Sequence, residues 1–279
     1  MSAPDIRTGP LDERAEGTGA AGAIAADPEV QAALRRTLLA LADSKRLLGI
    51  RYSDWLLGAP SLEMGIAASS MAQDEWGHAR LLYAMLKDVD LDPMVVEYQR
   101  SDDEYCSMDC LDEPLQDWAA VIAAVVVVDG ALATALQALE NGSYEPARGR
   151  IGKMLEEEAF HRDLGAAWFR RIAAGSEEGR TLLKGAVQRM LVPALGCVAP
   201  GDRAHEALTR VGIIPDATTL RTRFLGELAP LLSLLGIHPT PDIPLPAGWD
   251  PLRGRGAGHP DTEAIERARG DRNRALFVE

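Results

Sequence analysis

Between Trp118 and Leu139 the chain carries a single charge, Asp129, in a run otherwise built of Ala, Val, Ile and Leu with little else. A run with no polar face survives in water only where other elements cover it on every side, and its length favours a helix over a strand. The rest of the chain must therefore wrap around this segment. Asp129 divides it, and the uninterrupted stretch Ala119 to Val128 is about half of what a membrane span requires, so the expectation is a core helix with no membrane contact.

The flanking sequence supplies the covering helices. Residues 30 to 57 show apolar spacing of helical period and stop at Gly58-Ala59-Pro60; Ser61 can then cap a second helix reaching about Lys87. An acidic connector spans 94 to 113, and Pro114 introduces the apolar helix, which ends at Asn141-Gly142-Ser143. A fourth helix runs from about Pro146 to Ala173. Two long antiparallel pairs make a four-helix bundle, so the fold class is all-α. Shorter helices are expected at about 177 to 196, 202 to 212 and 217 to 235, followed by an irregular tail with six prolines between 239 and 260 and one more helix near 261 to 270. The domain reading is a flexible leader over 1 to 26, a helical domain over 27 to 236, and a Pro/Gly-rich tail over 237 to 279 packing on the bundle.

Composition narrows the function classes. With 42 acidic and 29 basic residues the net charge is −13, which argues against nucleic acid as a partner. The start of the chain lacks the basic-then-apolar order of a secretory signal, and the three cysteines, Cys106, Cys110 and Cys197, read as free thiols; the expected compartment is the cytoplasm. Cys106 and Cys110 have no second pair and no nearby His, which argues against zinc.

The chemistry-bearing pattern is a duplicated Glu-x-x-His. Glu75 with His78, and Glu158 with His161, each project from one face of a helix and are suited to grip one ion per pair, iron or manganese by ligand type. Asp129 lies 29 residues before Glu158, at equal height on the antiparallel neighbour. A carboxylate in so apolar a segment demands a cation or a proton. A fourth carboxylate is expected on the first helix about 30 residues before Glu75, but that position is Lys45. Asp43 is about 200° away around the helix and reaches the site only if that helix is rotated or bulged. Lys45 thus has three readings. It is a surface lysine with Asp43 as ligand, or its ammonium stands among Glu75, Asp129 and Glu158 in place of one ion, or it is a reactive amine beside a metal.

Several motifs beyond the ligands carry a resemblance. Ala59-Pro60-Ser61-Leu62, Gln73-Asp74-Glu75 with Gly77-His78, Val128-Asp129-Gly130-Ala131, Ser143-Tyr144, Glu157-Glu158 with Phe160-His161, Val192-Pro193-Ala194-Leu195, Leu235-Gly236 with Pro241-Asp242, and Gly254-Arg255-Gly256 resemble, in order and spacing, the catalytic-subunit family of phenylacetyl-CoA epoxidase. The resemblance covers roughly residues 30 to 270. It implies a ferritin-like bundle and a di-iron monooxygenase that inserts one oxygen atom of O2 into an aromatic acyl-CoA in phenylacetate catabolism. It also implies Glu75, His78, Asp129, Glu158 and His161 as iron ligands, with Glu75, Asp129 and Glu158 as the candidate catalytic groups. Two iron ions are implied, with one ion or a Mn/Fe pair as other loadings.

The family's sixth ligand, a glutamate, falls on Lys45. A non-catalytic scaffold subunit, and an oxidase with a mononuclear or mixed-metal site and another substrate, are therefore the alternatives. Neither a Gly-x-Gly-x-x-Gly loop nor an iron–sulfur cysteine cluster is present, which implies a separate reductase. A homo- or hetero-oligomer with a related helical subunit is also expected. Trp76, Trp168 and Phe160 flank the ligands and are candidates to line a pocket.

Overall fold

The computed structural model describes residues 27–274 and Leu276, so the leader expected over 1–26 lies outside the described residues. In chain order the helices are α1 (Pro28–Ser53), α2 (Leu62–Met85), a short α3 (Pro93–Tyr98), α4 (Trp118–Asn141), α5 (Glu145–Ala173), α6 (Glu177–Val198), α7 (Arg203–Arg210), α8 (Ala217–Leu232), α9 (Thr262–Arg269) and α10 (Asp271–Arg274). Among the described residues there is no strand, only an isolated bridge between Asp250 and Arg255. Helices α1, α2, α4 and α5 form the bundle, and α6 and α8 pack against α4.

Local chemistry sets the helix starts. The Asp27 carboxylate accepts from the amides of Glu29 and Val30, with Pro28 in the first turn of α1; Ser61 accepts from Met64 to open α2, and Asp117 accepts from Ala120 to open α4. Between α1 and α2, Gly49 lets the two helices approach: a Cβ there would meet the Trp76 indole at 2.4 Å.

Helix α4 is the core element, with Ala119 to Asp129 and most of the rest buried. Taken whole, Trp118–Asn141 is long and apolar enough to span a membrane, unlike the sequence expectation that treated Asp129 as a break. However, 89% of its most apolar window is buried inside the protein, as a core helix requires. Its middle is not α-helical. Residues Ala124–Asp129 form a π-helix between α-helical turns at Trp118–Ala123 and Gly130–Asn141. The widened turn presses Val125 against α5, where Gly165 leaves room: a Cβ there would lie 2.6 Å from Val125 Cγ1. The bulge that the sequence admits on α1 is thus found on α4, where it ends on Asp129.

The connector between α2 and α4 is tied to α1 by Asp43. Its buried carboxylate accepts from Tyr83 Oη at 2.6 Å, from the Arg100 guanidinium at 2.5 and 3.0 Å, and from the Cys106 amide at 2.8 Å. Residues 237–261 are irregular and are fastened by arginines. Arg221 donates to the carbonyls of Ala199, Pro241 and Ile243, while buried Arg255 donates to Asp112 and Ser107.

Two outcomes follow for stability. Gly165→Ala should destabilise the protein by about 1–3 kcal/mol through overpacking at the π turn, read as a lowered denaturation midpoint. Asp43→Ala should cost about 3–5 kcal/mol by stranding the Arg100 guanidinium, with the protein's metal content unchanged.

Candidate metal centre

Helices α1, α2, α4 and α5 all contribute side chains to a buried cluster at the bundle's centre. Lys45 and Glu75 are fully buried, and Asp129, Glu158, His78 and His161 nearly so. The Lys45 ammonium donates to Glu75 Oε1 at 3.0 Å, to Asp129 Oδ1 at 2.6 Å and to Glu158 Oε1 in a shorter contact. All three of its N–H bonds are directed at the three carboxylates. His161 Nδ1 faces Asp129 Oδ2 at 2.9 Å, and its Nε2 faces Asp74 Oδ2 at 3.3 Å. His78 Nε2 faces Glu157 Oε2 at 2.8 Å. Its Nδ1 stands 3.2 Å from Glu158 Oε1 but is not aligned for a hydrogen bond, and it and Glu75 Oε2 are buried without a partner.

Protonation follows from burial and charge together. Burial alone would lower the Lys45 ammonium, but Asp129, Glu158 and Glu75 outweigh it and raise its pKa well above the usual lysine range. Burial likewise opposes charge on His161, yet its bonds to Asp129 and Glu75 push it up to about 11, which favours the imidazolium. Burial would raise Asp129, and Lys45 and His161 reverse this and hold it below the usual carboxylate range. Burial and the charge of Asp129 raise Glu75 to about 7 and Glu158 to about 8. Two cationic groups, Lys45 and His161, thus face three carboxyl groups, of which Asp129 is held ionised while Glu75 and Glu158 are pushed toward the protonated form.

These charges bear on what the donors can hold. Glu75, Asp129, Glu158 and His161 present ligand atoms within 4.8 Å of one another, the grouping a metal would need. Lys45 is already bonded to an oxygen of each of the three carboxylates, and a metal would have to displace a proton from His161 to use its ring nitrogen. A two-metal centre does not fit this arrangement while Lys45 stands within it. Glu75 Oε2 and His78 Nδ1 remain unpartnered, and His78 is not among the four grouped ligand residues.

The structure brings five of the six expected ligand positions together and leaves one out. Asp43 is no part of the cluster: it lies on another face of α1 and its oxygens are occupied by Tyr83, Arg100 and Cys106. The α1 position directed at the carboxylates is Lys45, so the reading of Lys45 as a surface residue is also corrected. The aromatic expectations fare differently from the ligands. Phe160 is exposed, Trp168 packs on Trp118, and Trp76 lines a surface groove. A cavity of about 90 Å³ does adjoin Asp129 and Glu158, but Val125, Val126, Phe224, Leu228 and Leu231 line it, with Arg162 and Glu227 among its polar groups. It is smaller than the roughly 150 Å³ apolar cavity that admits a benzene ring.

Three participants escape the ligand pattern. Asp74 and Glu157, each immediately before a motif glutamate, orient His161 and His78. Tyr52, seven residues after Lys45, is fully buried; burial and the charges of Asp129, Glu75 and Glu158 raise its phenol well above the usual range, and its Oη has no partner. Its spacing of two helical turns from Lys45 is the signal that would have found it.

Comparison with known proteins points to one family. The family model described as phenylacetic acid catabolic protein matches residues 21–248. One curated relative is a subunit of the 1,2-phenylacetyl-CoA epoxidase of Escherichia coli (strain K12), 28% identical over 195 residues, which is 68% of this chain. The matched region spans 63% of that relative's length. With the fold, the duplicated Glu-x-x-His and the family match in accord, this chain belongs to the phenylacetic acid catabolic protein family.

Proposed function

We propose that this chain is a helical component of an assembly that oxidises aromatic acyl-CoA thioesters of the phenylacetate type, and that Lys45 takes the place of a metal pair at its centre. Oxygen insertion then belongs to a metal-bearing partner of related fold, supplied with electrons by a separate reductase. The observation that carries this reading is the Lys45 ammonium bonded to all three carboxylates at once. The small size of the adjoining cavity supports it. Family membership and the relative's role as part of an epoxidase, by its printed name, support the substrate class.

In this reading the cluster's work is structural. Lys45 joins α1 to α2, α4 and α5 through one cation, and His161 adds a second link between α5, α4 and α2. A second reading, a single ion held from the His78 side, draws support from the unpartnered Glu75 Oε2 and His78 Nδ1. A two-iron epoxidase requires Lys45 to leave the carboxylates.

Elemental analysis after iron-replete expression separates these readings. The expected result is no stoichiometric metal. About one ion per chain would favour the second reading, and about two would establish the di-iron centre. Lys45→Glu restores the missing carboxylate and should raise iron content from stray levels to about two per chain.

The pH dependence has a defined sign. Glu158 ionises at about 8 in the folded protein against 4.5 unperturbed, so its contribution is full below pH 4.5 and is lost as pH rises through 8. Chemical denaturation should therefore show wild type losing stability relative to Glu158→Gln between pH 5 and pH 8. A metal-held site should do the reverse, because its ligands bind better once deprotonated.

A further inference from the structure

One long face of the bundle is apolar and uncovered. Helices α2 and α5 run antiparallel side by side, with Trp168 Nε1 donating to Met64 Sδ at 3.0 Å, His161 facing Asp74 and His78 facing Glu157. Their outer surface exposes Leu62 (77%), Ile66 (59%), Phe160 (52%) and Leu81 (42%), and the α2 residues among these span most of that helix. Single exposed leucines are ordinary, whereas several large apolar side chains on one face mark a contact with another surface.

Shape and charge make this face complementary to itself. Gly77 leaves open space on α2, since a Cβ there would meet nothing within 4 Å, and Phe160 stands on α5 within about one helical turn of the same height. Four exposed charges form no ion pair among the described residues: Glu63 and Arg80 on α2, Glu156 and Arg171 on α5, the last with its guanidinium over the Trp168 ring. In the register set by Met64 with Trp168 and His78 with Glu157, Glu63 is level with Arg171 and Arg80 with Glu156. A two-fold axis parallel to the helices lays α2 of one copy antiparallel on α5 of the other at equal height. Glu63 then meets Arg171, Arg80 meets Glu156 and Phe160 seats over Gly77, each contact occurring twice.

We propose that two copies of this chain pair through the α2–α5 face. The area suffices: the 24 residues of α2 make a helix about 36 Å long, and two helices each about 10 Å across give a face of about 700 Å², near the roughly 800 Å² per partner of a standard interface. The pairing covers Asp74 and Glu157, the half-buried carboxylates that hold His161 and His78, and so closes the histidine side of the cluster. It rests on the surfaces of α2 and α5 alone and is independent of what the cluster holds.

Sedimentation equilibrium of the full chain, with circular dichroism as the check on folding, tests the pairing. Wild type should sediment at twice the monomer mass at micromolar concentration. Gly77→Glu and Phe160→Glu should each weaken the dimer at least about tenfold without loss of helix. Leu182→Glu, at an exposed leucine of α6 outside this face, should leave it unchanged. Glu63→Arg alone and Arg171→Glu alone should each weaken the dimer, because like charges then meet twice. An equal mixture of these two variants should dimerise as tightly as wild type, since each contact between unlike chains regains opposite signs. A monomeric wild type, a dimer that survives both Gly77→Glu and Phe160→Glu, an equal loss in Leu182→Glu, or a mixture no tighter than its two components would overturn the inference.

Discussion

One ammonium group, that of Lys45, sets the electrostatics of the whole bundle. Three carboxyl groups from α2, α4 and α5 meet in the buried centre of the bundle, an arrangement that costs several kcal/mol per ion unless charge is matched at short range. Lys45 supplies three N–H donors at the point where the carboxylates converge, and His161 supplies a second cation whose outer nitrogen is held by Asp74. Removing either partner of such a network strands the others, so the cluster links the helices as well as offsetting their charges.

The remaining architecture serves this junction. The π turn at Ala124–Asp129 ends on the one acidic residue in the apolar stretch of α4, and Gly165 on α5 accommodates the widened turn. Buried arginine contacts, Arg100 to Asp43, Arg51 to Asp261 and Arg255 to Asp112, attach the connector and the irregular tail to α1 and to each other. The same residue types therefore have opposite duties in adjacent places. Asp43 fastens a loop, whereas Asp129, equally buried, faces the central cation.

Much of this is legible in the residues themselves. The helices follow from apolar period and from punctuation by Gly58, Ser61, Gly142 and the prolines. The meeting of Glu75, Asp129, Glu158 and His161 follows from spacing on antiparallel neighbours. The placement of Lys45 follows from counting 30 residues back from Glu75. Less legible is what depends on packing between distant segments. Asp43 is two residues from Lys45, and only the fold of the connector, which brings Arg100 and Tyr83 to it, reveals its role. The π turn leaves no signature in a run of valines, and the α8 residues that wall the cavity, Phe224, Leu228 and Leu231, carry an ordinary amphipathic pattern. Buried carboxylates demand a cation, but that demand does not distinguish an ammonium from a metal ion, and here the chain carries its own.

The most direct examination of this centre is diffraction at the iron absorption edge from crystals of iron-replete protein. The expected result is continuous density from α1 to a Lys45 nitrogen lying among Glu75, Asp129 and Glu158, with no anomalous peak between α2 and α5. Two anomalous peaks among Glu75, Asp129 and Glu158, with the Lys45 side chain turned away, would contradict the central role given to that lysine.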